Sequence, residues 1–329
     1  MPDVNRGCRQ VAAVLAVSFA AAFACSSAWS QNYPTKPIKL VVPYVPGGPT
    51  DIMGRVISKK LTEGFGEQMV VENRAGAGGI VGADAVAKSA ADGYTLLLAS
   101  GSTIAMAPFL YTHLPYKPSD FDPVGLFSEA PFMVVVNPSV PANTLKEFIA
   151  LAKAKPGQMS YGSAGVGNIL HISGEWFKSL AGVDLVHVPY KGGAPARLDL
   201  VTGRIQAMFE MYATFQADIP TGKVKVLAVA SAKHHPLLPN VPTAAEAGLP
   251  GYESSAWFGL VAPKGTPHEA VMRLNGEMQK ALATKEVKDM LASLAFLPRG
   301  GSPQSFAAFI QGEISKWGKV IKSAGIKAE

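Results

Sequence analysis

One local pattern constrains this chain more than any other: a short apolar run ends in a turn rich in proline and glycine and then continues as a helix. The run Ile38–Val42 leads into Gly47 and Gly48, and apolar residues recur with helical spacing afterwards. The first N–H groups of that helix would be free to meet an anion, and Thr50 or Asp51 can cap the helix. By itself, the pattern fits an ordinary strand-to-helix turn equally well.

The same arrangement returns further along the chain. Gly162–Asn168 is a second glycine-rich turn, placed between a short predicted strand and an amphipathic helical pattern. Polar or glycine-containing segments also follow other predicted strands, at Ser100–Thr103 and Lys191–Ala196, and the strand Ala207–Phe209 leads to Glu210. The alternation of strands and helices predicts an α/β protein built around a parallel sheet, with several polar strand ends facing one cleft.

The first thirty residues have the pattern of an export signal. Two arginines precede the apolar run Val11–Ala24, and small residues end at Ser30, where a cleavage site is expected. The run is too short to span a membrane. Cys8 and Cys25 both lie in this segment, so the mature chain would have neither a disulfide nor a thiolate metal site.

Composition excludes several classes of function. The 329 residues are 48% hydrophobic and 16% charged, which predicts a large core and roughly two domains. The net charge of +6 is spread along the chain without basic clusters, so we expect no nucleic-acid partner. No nucleotide-binding loop has the required glycine spacing, so we expect no cofactor. His234 and His235 are adjacent and point to different faces, which argues against a metal site.

A serine hydrolase is the enzymatic alternative. Ser163 lies in a sharp turn, and His171 follows on the next helix. However, Tyr161 breaks the G-x-S-x-G motif that this chemistry requires, and His171 is too close in sequence for the usual order of serine, acid and histidine. We therefore predict a protein that is not an enzyme, with an exported hydrolase using Ser163 as the alternative.

Two segments have the character of crossings between domains. Strands are predicted over 121–124 and Phe132–Val136, and Glu129–Pro131 interrupts the chain between them. The segment Gly251–Val261 is predicted to be a return crossing. Trp257 lies within it and either forms an aromatic wall for a ligand or packs in the interior.

Several motifs in a fixed order resemble the Bug family of TctC-like solute receptors. They are Val45–Asp51, Val71–Gly79, Ala91–Leu96, Val188–Ala196, Pro239–Gly248 and Trp317–Ile321. The similarity extends from about residue 33 to the end of the chain. It implies a periplasmic receptor of the type II binding-protein fold, in which two α/β lobes enclose a ligand cleft and are joined by two crossing segments.

The resemblance also implies a division of the chain and a binding site. Residues 1–30 would be the signal peptide, 33–129 with 255–329 the first lobe, and 130–254 the second lobe. The ligand would be a small mono- or dicarboxylate held by backbone amides, hydroxyls and bridging waters. The predicted ligand-binding residues are Tyr44, Pro46, Gly47, Gly48, Thr50, Asp51, Ser100, Ser102, Thr103, Ser163, Ala164, Gly165, Gly167, Asn168, Lys191, Gly192, Gly193, Glu210 and Trp257.

The chain departs from the common family pattern at two places. The family often has Asp-Asn where Glu210-Met211 stands here, and Ser or Thr at the edge formed here by Asn168-Ile169-Leu170. Both changes bear on which ligand is bound. Glu210 either contacts an amino or hydroxyl group of the ligand or caps a helix. We expect a monomeric receptor that serves the membrane permease subunits of a tripartite tricarboxylate transporter, with a sensor or adaptor lacking a transport role as the other alternative.

Overall fold

A computed structural model describes residues 33–47 and 49–327, so the predicted signal segment, residues 1–30, lies outside the described residues. The strands are β1 (Ile38–Val42), β2 (Met69–Asn73), β3 (Thr95–Ser100), β4 (Phe121–Val136), β5 (Ser160–Ser163), β6 (Val186–Pro189), β7 (Ala207–Met211), β8 (Lys225–Val229), β9 (Ser255–Pro263) and β10 (Leu297–Pro298). The α-helices are α1 (Pro49–Phe65), α2 (Ile80–Ala87), α3 (Ala107–Leu110), α4 (Leu145–Ala154), α5 (Ile169–Ala181), α6 (Gly193–Val201), α7 (Tyr212–Phe215), α8 (His268–Ala283), α9 (Lys285–Ser293) and α10 (Pro303–Ala324). No helix in this described part combines the length and apolar character needed to cross a bilayer.

The strand order is nearly symmetric. Neighbouring strands follow one another as β2-β1-β3-β9-β4-β7-β5-β6, and β8 and β10 pair with β4. β1 is parallel to β2 and β3, and β5 is parallel to β6 and β7, while the antiparallel strands β9 and β4 lie between the two parallel groups. β1 and β5 therefore hold equivalent central positions, and each is flanked by the next two strands of the chain. Ligands of open α/β sheets bind where strand order reverses in this way, outside the carboxyl ends of the strands.

One long strand connects the two groups. β4 pairs with β9 from Phe121 to Pro131, with β7 from Phe132 to Val136 and with β8 from Met133 to Val136, so its partners change after Pro131. The sequence predicts an interruption around Glu129–Pro131, and this prediction is wrong because β4 is continuous there. Proline has no N–H to donate, and the change of partners at Pro131 lets the strand accept it.

Each group of strands is covered on both faces by apolar side chains. In β4, Phe132, Val134 and Val136 join one buried cluster, whereas Met133 and Val135 join another on the opposite face. The same alternation separates Leu40 from Val41 in β1. Side chains of a strand point alternately to its two faces, so a strand covered on both sides must be apolar throughout. This explains the unbroken apolar runs in the sequence.

Helix α5 also contacts the C-terminal helix α10. Ile172 belongs to the same buried cluster as Trp317 of α10, and Trp176 packs against this cluster and against the core of the second strand group. The helix that begins after the turn at Gly162–Asn168 is therefore in contact with both halves of the molecule.

Candidate functional site

The turn between β1 and α1, called here the first loop (Pro43–Gly47 among the described residues), is fixed by the carboxylate of Asp51. Asp51 Oδ2 accepts hydrogen bonds from Gly47 N at 2.9 Å and Arg55 Nε at 2.9 Å, and Oδ1 accepts from Asn73 Nδ2 at 2.9 Å. These bonds, led by that from Arg55, lower the pKa of Asp51 to about 2 although its side chain is buried. Gly48 lies outside the described residues.

Asp51 and Thr50 do not precede the helix, because α1 begins at Pro49. Asp51 instead reaches back from the first turn of α1 to the N–H of Gly47. Asn73, at the end of β2, also donates to the carbonyl oxygen of Tyr44 at 3.0 Å. The first loop is therefore held from inside by a residue that the sequence-based site did not include. A signal for it was present in the sequence, because Asn73 lies in the motif Val71–Gly79.

Hydroxyl groups from two neighbouring strands meet beside the first loop. Tyr44 Oη and Ser100 Oγ are 2.9 Å apart, and Ser100 Oγ is 3.3 Å from Thr103 Oγ1. Burial raises the pKa of Tyr44, so its hydroxyl stays protonated. Ser102 begins a short π-helical turn, Ser102–Met106, a local geometry that is frequent at functional sites. Ser100 and Thr103 are buried and Ser102 is half-buried, so Ser102 is the most accessible of the three.

The turn between β5 and α5, called here the second loop (Ala164–Asn168), is held in a similar way. Gly165 N donates to Ser163 Oγ at 3.2 Å, and Gly167 N donates to His171 Nδ1 at 3.1 Å. Both glycines have positive φ angles, 131° and 73°, which favour glycine at these positions. Asn168 caps α5 by accepting a hydrogen bond from Leu170 N at 2.9 Å.

Ser163 forms its short hydrogen bond with His187 and not with His171. Ser163 Oγ and His187 Nε2 are 2.6 Å apart, and the Ser163 side chain is fully buried. Burial lowers the pKa of His187 to about 4, and the neighbouring His171 adds to the effect. The hydroxyl of Ser163 therefore stabilises the second loop from its buried side. His187 was absent from the sequence-based site, since the pairing of β5 with β6 is what brings it to Ser163.

Lys191–Gly193 follows β6, and Glu210 of β7 lies next to this segment. Gly192 precedes α6 with a φ of 113°. Glu210 is buried, and its Oε1 accepts a hydrogen bond from Met211 N at 2.8 Å, at the start of α7. A β-carbon added at Gly193 would lie 3.5 Å from Glu210 Oε2, so the carboxylate adjoins the Gly193 backbone. Burial raises the pKa of Glu210 to about 7.

Strand register relates the two loops. Val41 pairs with Leu97 and Gly162 pairs with Met208. Continuing each register along the parallel strands places Tyr44 level with Ser100 and Ala164 level with Glu210. Ser100 and Glu210 therefore occupy equivalent positions in the two halves of the sheet, each beside the loop that follows a central strand.

Trp257 is a packing residue. It is 1% exposed, and its indole N–H donates to Glu313 Oε2 at 3.0 Å, as does that of Trp317 at 2.8 Å. A β-carbon added at Gly101 would lie 3.0 Å from Trp257 Nε1. The prediction that Trp257 forms an aromatic wall for a ligand is therefore wrong. The indole ring packs against the turn at Gly101 on its buried side, because β9, which contains Trp257, is covered on both faces.

Two surface cavities lie apart from both loops. One has a volume of about 440 Å³ and lies between Asn143–Lys146 and Asn240–Pro242, and the other has about 270 Å³ and lies near His268 and Gln304. None of the predicted ligand-binding residues lines either cavity. The predicted site is instead the set of loops at the carboxyl ends of β1, β3, β5, β6 and β7.

Known proteins of one family match this chain. The sequence model of the tripartite tricarboxylate transporter family receptor, TctC, matches residues 53–326. Protein BugT of Bordetella pertussis (strain Tohama I) is 38% identical, with 96% of this chain and 97% of BugT covered.

Two solved structures from Rhodopseudomonas palustris are also similar. Rpa4515 with adipate is 38% identical, covers 90% of this chain and 99% of its own, and superposes with a TM-score of 0.75. MatC with bound malate is 34% identical, covers 88% of this chain and 100% of its own, and has a TM-score of 0.72. The predicted two-lobed α/β binding-protein fold is confirmed, and the family and these relatives are solute-binding receptors, not enzymes. This chain belongs to the tripartite tricarboxylate transporter receptor family.

Proposed function

We propose that this protein is a periplasmic receptor that binds a small mono- or dicarboxylate between its two lobes and delivers it to the membrane permease of a tripartite tricarboxylate transporter. The observation that carries the proposal is the equivalence of the first and second loops in the near-symmetric sheet. Each loop follows a central parallel strand and precedes a helix, and each is tied to its neighbours by buried polar side chains. Adipate and malate in the two related structures support a carboxylate as the ligand.

The proposed lobes are residues 33–129 with 255–329, and residues 130–254. The change of partners in β4 after Pro131, within two residues of the first boundary, and the start of β9 at Ser255, which pairs with Pro131, support this division. The ligand would then lie where the carboxyl ends of both parallel groups meet.

The site residues divide into two roles in this proposal. Exposed or half-buried groups would contact the ligand: Tyr44, Pro46, Gly47, Thr50, Ser102, Ala164, Gly165, Gly167, Asn168, Lys191, Gly192 and Gly193. Buried groups, namely Asp51, Ser100, Thr103 and Ser163, would hold the loops in place. Glu210, also buried, adjoins Gly193. Backbone N–H groups at the starts of α1 and α5 suit an anion because the helix dipole favours negative charge there.

Energetics are compatible with such a site. A hydrogen bond to a charged group contributes about 1.5–3 kcal/mol, and micromolar binding needs about 8 kcal/mol in total. About four or five such bonds from two loops reach that value after the costs of ordering and closure. The mild excess of basic residues in the whole chain is also favourable for an anionic ligand.

The test is a panel of mono- and dicarboxylates, including adipate and malate, added to the purified protein. Bound ligand should raise the free energy of unfolding by about 2.7 kcal/mol at a hundredfold excess over the dissociation constant. Mass spectrometry of small molecules that co-purify with the protein would extend the panel. If no carboxylate stabilises the protein and none co-purifies, the proposal is wrong. Deletion of the permease genes, followed by uptake of the identified acid, separates transport from sensing.

A further inference from the structure

Two histidine rings lie face to face behind the second loop. His171, in the first turns of α5, and His187, in β6, have ring centroids 3.8 Å apart and planes inclined by 6°. Both follow the loop in sequence, and the pairing of β5 with β6 brings His187 next to it. Each ring contacts a different part of the loop.

His171 holds the backbone of Gly167. The N–H of Gly167 donates to Nδ1 of His171 at 3.1 Å. Nδ1 accepts a hydrogen bond only when it carries no proton, so this contact requires a neutral ring. Protonation of His171 would convert the acceptor into a second donor facing the Gly167 N–H.

His187 acts on Gly165 through Ser163. Its Nε2 lies 2.6 Å from Ser163 Oγ, and the same oxygen accepts a hydrogen bond from Gly165 N at 3.2 Å. The backbone N–H groups of both glycines are thus oriented, directly or through one serine, by the histidine pair. Both N–H groups are used within the loop, so the pair fixes the backbone conformation of a segment that the proposed ligand would contact.

The surroundings keep both rings neutral near neutral pH. Tyr161 stacks on His187, and its hydroxyl donates to Glu175 Oε1, which also accepts from Lys178. Burial lowers the pKa of both histidines, more than the Glu175 carboxylate raises it, while Lys178 adds to the lowering. Two imidazolium rings stacked at this distance would also repel each other.

We propose that His171 and His187 form a positioning pair that fixes the backbone of the Gly165–Gly167 turn in the conformation that receives the ligand carboxylate, and that protonation of the pair loosens the second loop and weakens binding in acid. This inference rests on the proposed function. The predicted loss of affinity in acid is additional to the loss that protonation of the ligand itself causes. The neutral His187 ring contributes stability that is present above the ordinary histidine pKa of 6.5 and is lost as the pH falls toward about 4, and the lowered pKa of His171 acts in the same direction.

The test compares variants that keep or remove the acceptor atoms. His171→Asn and His187→Gln retain a polar atom near Nδ1 and Nε2, respectively, but do not titrate, whereas His171→Leu and His187→Leu remove it. His234→Gln is the control, because His234 is exposed and pairs with Glu246 away from the loop. The dissociation constants of adipate and malate are measured by calorimetry at about pH 7.5 and about pH 3.5, the latter below the pKa of about 4 that burial gives His187.

At the higher pH, the leucine variants should bind about tenfold more weakly than the wild type, and the asparagine and glutamine variants within about threefold of it. At the lower pH, the wild type and the His234→Gln control should lose at least about threefold more affinity than the double variant that combines His171→Asn with His187→Gln. Ligand protonation is common to all variants and cancels in this comparison. Equal losses in the wild type and the double variant would overturn the proposal.

A second measurement needs no ligand. Amide hydrogen exchange of a peptide covering residues 163–170 should be faster in the leucine variants than in the wild type at neutral pH, while a peptide from α10 should be unchanged. Unchanged exchange at residues 163–170 would show that the pair does not hold the loop. If exchange responds and no carboxylate binds any variant, the proposed function fails and the positioning role stands.

Discussion

Tyr44 and Ser100 join two neighbouring strand ends through their hydroxyl groups, whose oxygens are 2.9 Å apart. Tyr44 follows β1 and Ser100 ends β3, so this one contact connects the first loop to the π-helical turn that begins at Ser102. Ser100 holds in the first half of the sheet the position that Glu210 holds beside the second loop in the other half.

Tyr44→Phe should weaken ligand binding more than it weakens the fold. Loss of the hydroxyl leaves Ser100 Oγ without this partner, and we expect a loss of about 1 kcal/mol in the free energy of unfolding. Affinity for the best carboxylate should fall about three- to tenfold, measured by calorimetry. The control is Tyr94→Phe, whose hydroxyl bonds Thr35 at the opposite end of β3. Equal affinity in the two variants would contradict the role of Tyr44.

Asp51→Asn should destabilise the first loop and change the pH dependence of stability. The native carboxylate contributes stability that is present above its ordinary pKa of 3.8 and is lost as the pH falls toward about 2. We therefore expect a loss of about 1.5–3 kcal/mol at neutral pH and a smaller difference from the wild type near about pH 2. Urea denaturation at several pH values measures both. Asp289→Asn, which removes an exposed ion pair with Lys285, should have little effect.

Gly47→Ala and Gly251→Ala form a matched pair for the first loop. The two glycines have φ angles of 87° and 83°, and neither has an atom within 4 Å of an added β-carbon. Both variants should lose about 1 kcal/mol of stability through backbone strain. Only Gly47→Ala should lose affinity, because Gly47 lies in the first loop and donates to Asp51. A similar loss of affinity in both would indicate a general effect on folding.

Glu210→Gln should flatten the dependence of stability on pH. The folded-state pKa of Glu210, about 7, is above its ordinary value of 4.5, so the protonated acid favours folding. That contribution is fully present below 4.5 and is lost as the pH rises through about 7. The variant should therefore gain stability relative to the wild type at about pH 8, measured by denaturation. Glu253→Gln, at an exposed position, is the control, and an unchanged slope in Glu210→Gln would contradict the assignment.

The same variant tests whether Glu210 contacts the ligand. Malate and succinate differ by one hydroxyl group, so their affinity ratio reports on recognition of that group. If Glu210 accepts a hydrogen bond from it, Glu210→Gln should change the ratio by about tenfold at about pH 8, because above the pKa of about 7 a buried charged acceptor is replaced by a neutral amide. An unchanged ratio would assign Glu210 to capping α7.

Local patterns in the sequence predict much of this fold. The helical spacing near the end of the chain predicts helices over Glu269–Ala283 and Pro303–Ser323, close to the observed α8 and α10. The two glycine-rich turns also lie between a strand and a helix as predicted, because apolar runs and glycine content are local signals. The α/β class and its two-lobed form follow from these signals together with the quoted motifs.

Other features depend on contacts between distant residues and could not be read from local pattern. The bond from Asn73 to Asp51 depends on the pairing of β1 with β2, and the bond between Ser163 and His187 depends on the pairing of β5 with β6. The burial of Trp257 depends on α10, which supplies Glu313. A local pattern does not predict the continuity of β4, because a proline usually ends a strand. The change of partners after Pro131 allows the strand to contain this proline.

The uninterrupted β4 limits how the two halves can move. Its ladder of backbone hydrogen bonds joins β9 on one side of Pro131 and β7 on the other. Sliding one half past the other would break that ladder along its length, whereas a hinge needs only a few peptide units near Pro131 and Ser255 to change their torsion angles. Opening and closing of this receptor should therefore be a rotation about a short, fixed axis, with the mouth of the cleft travelling furthest and the strand itself remaining paired.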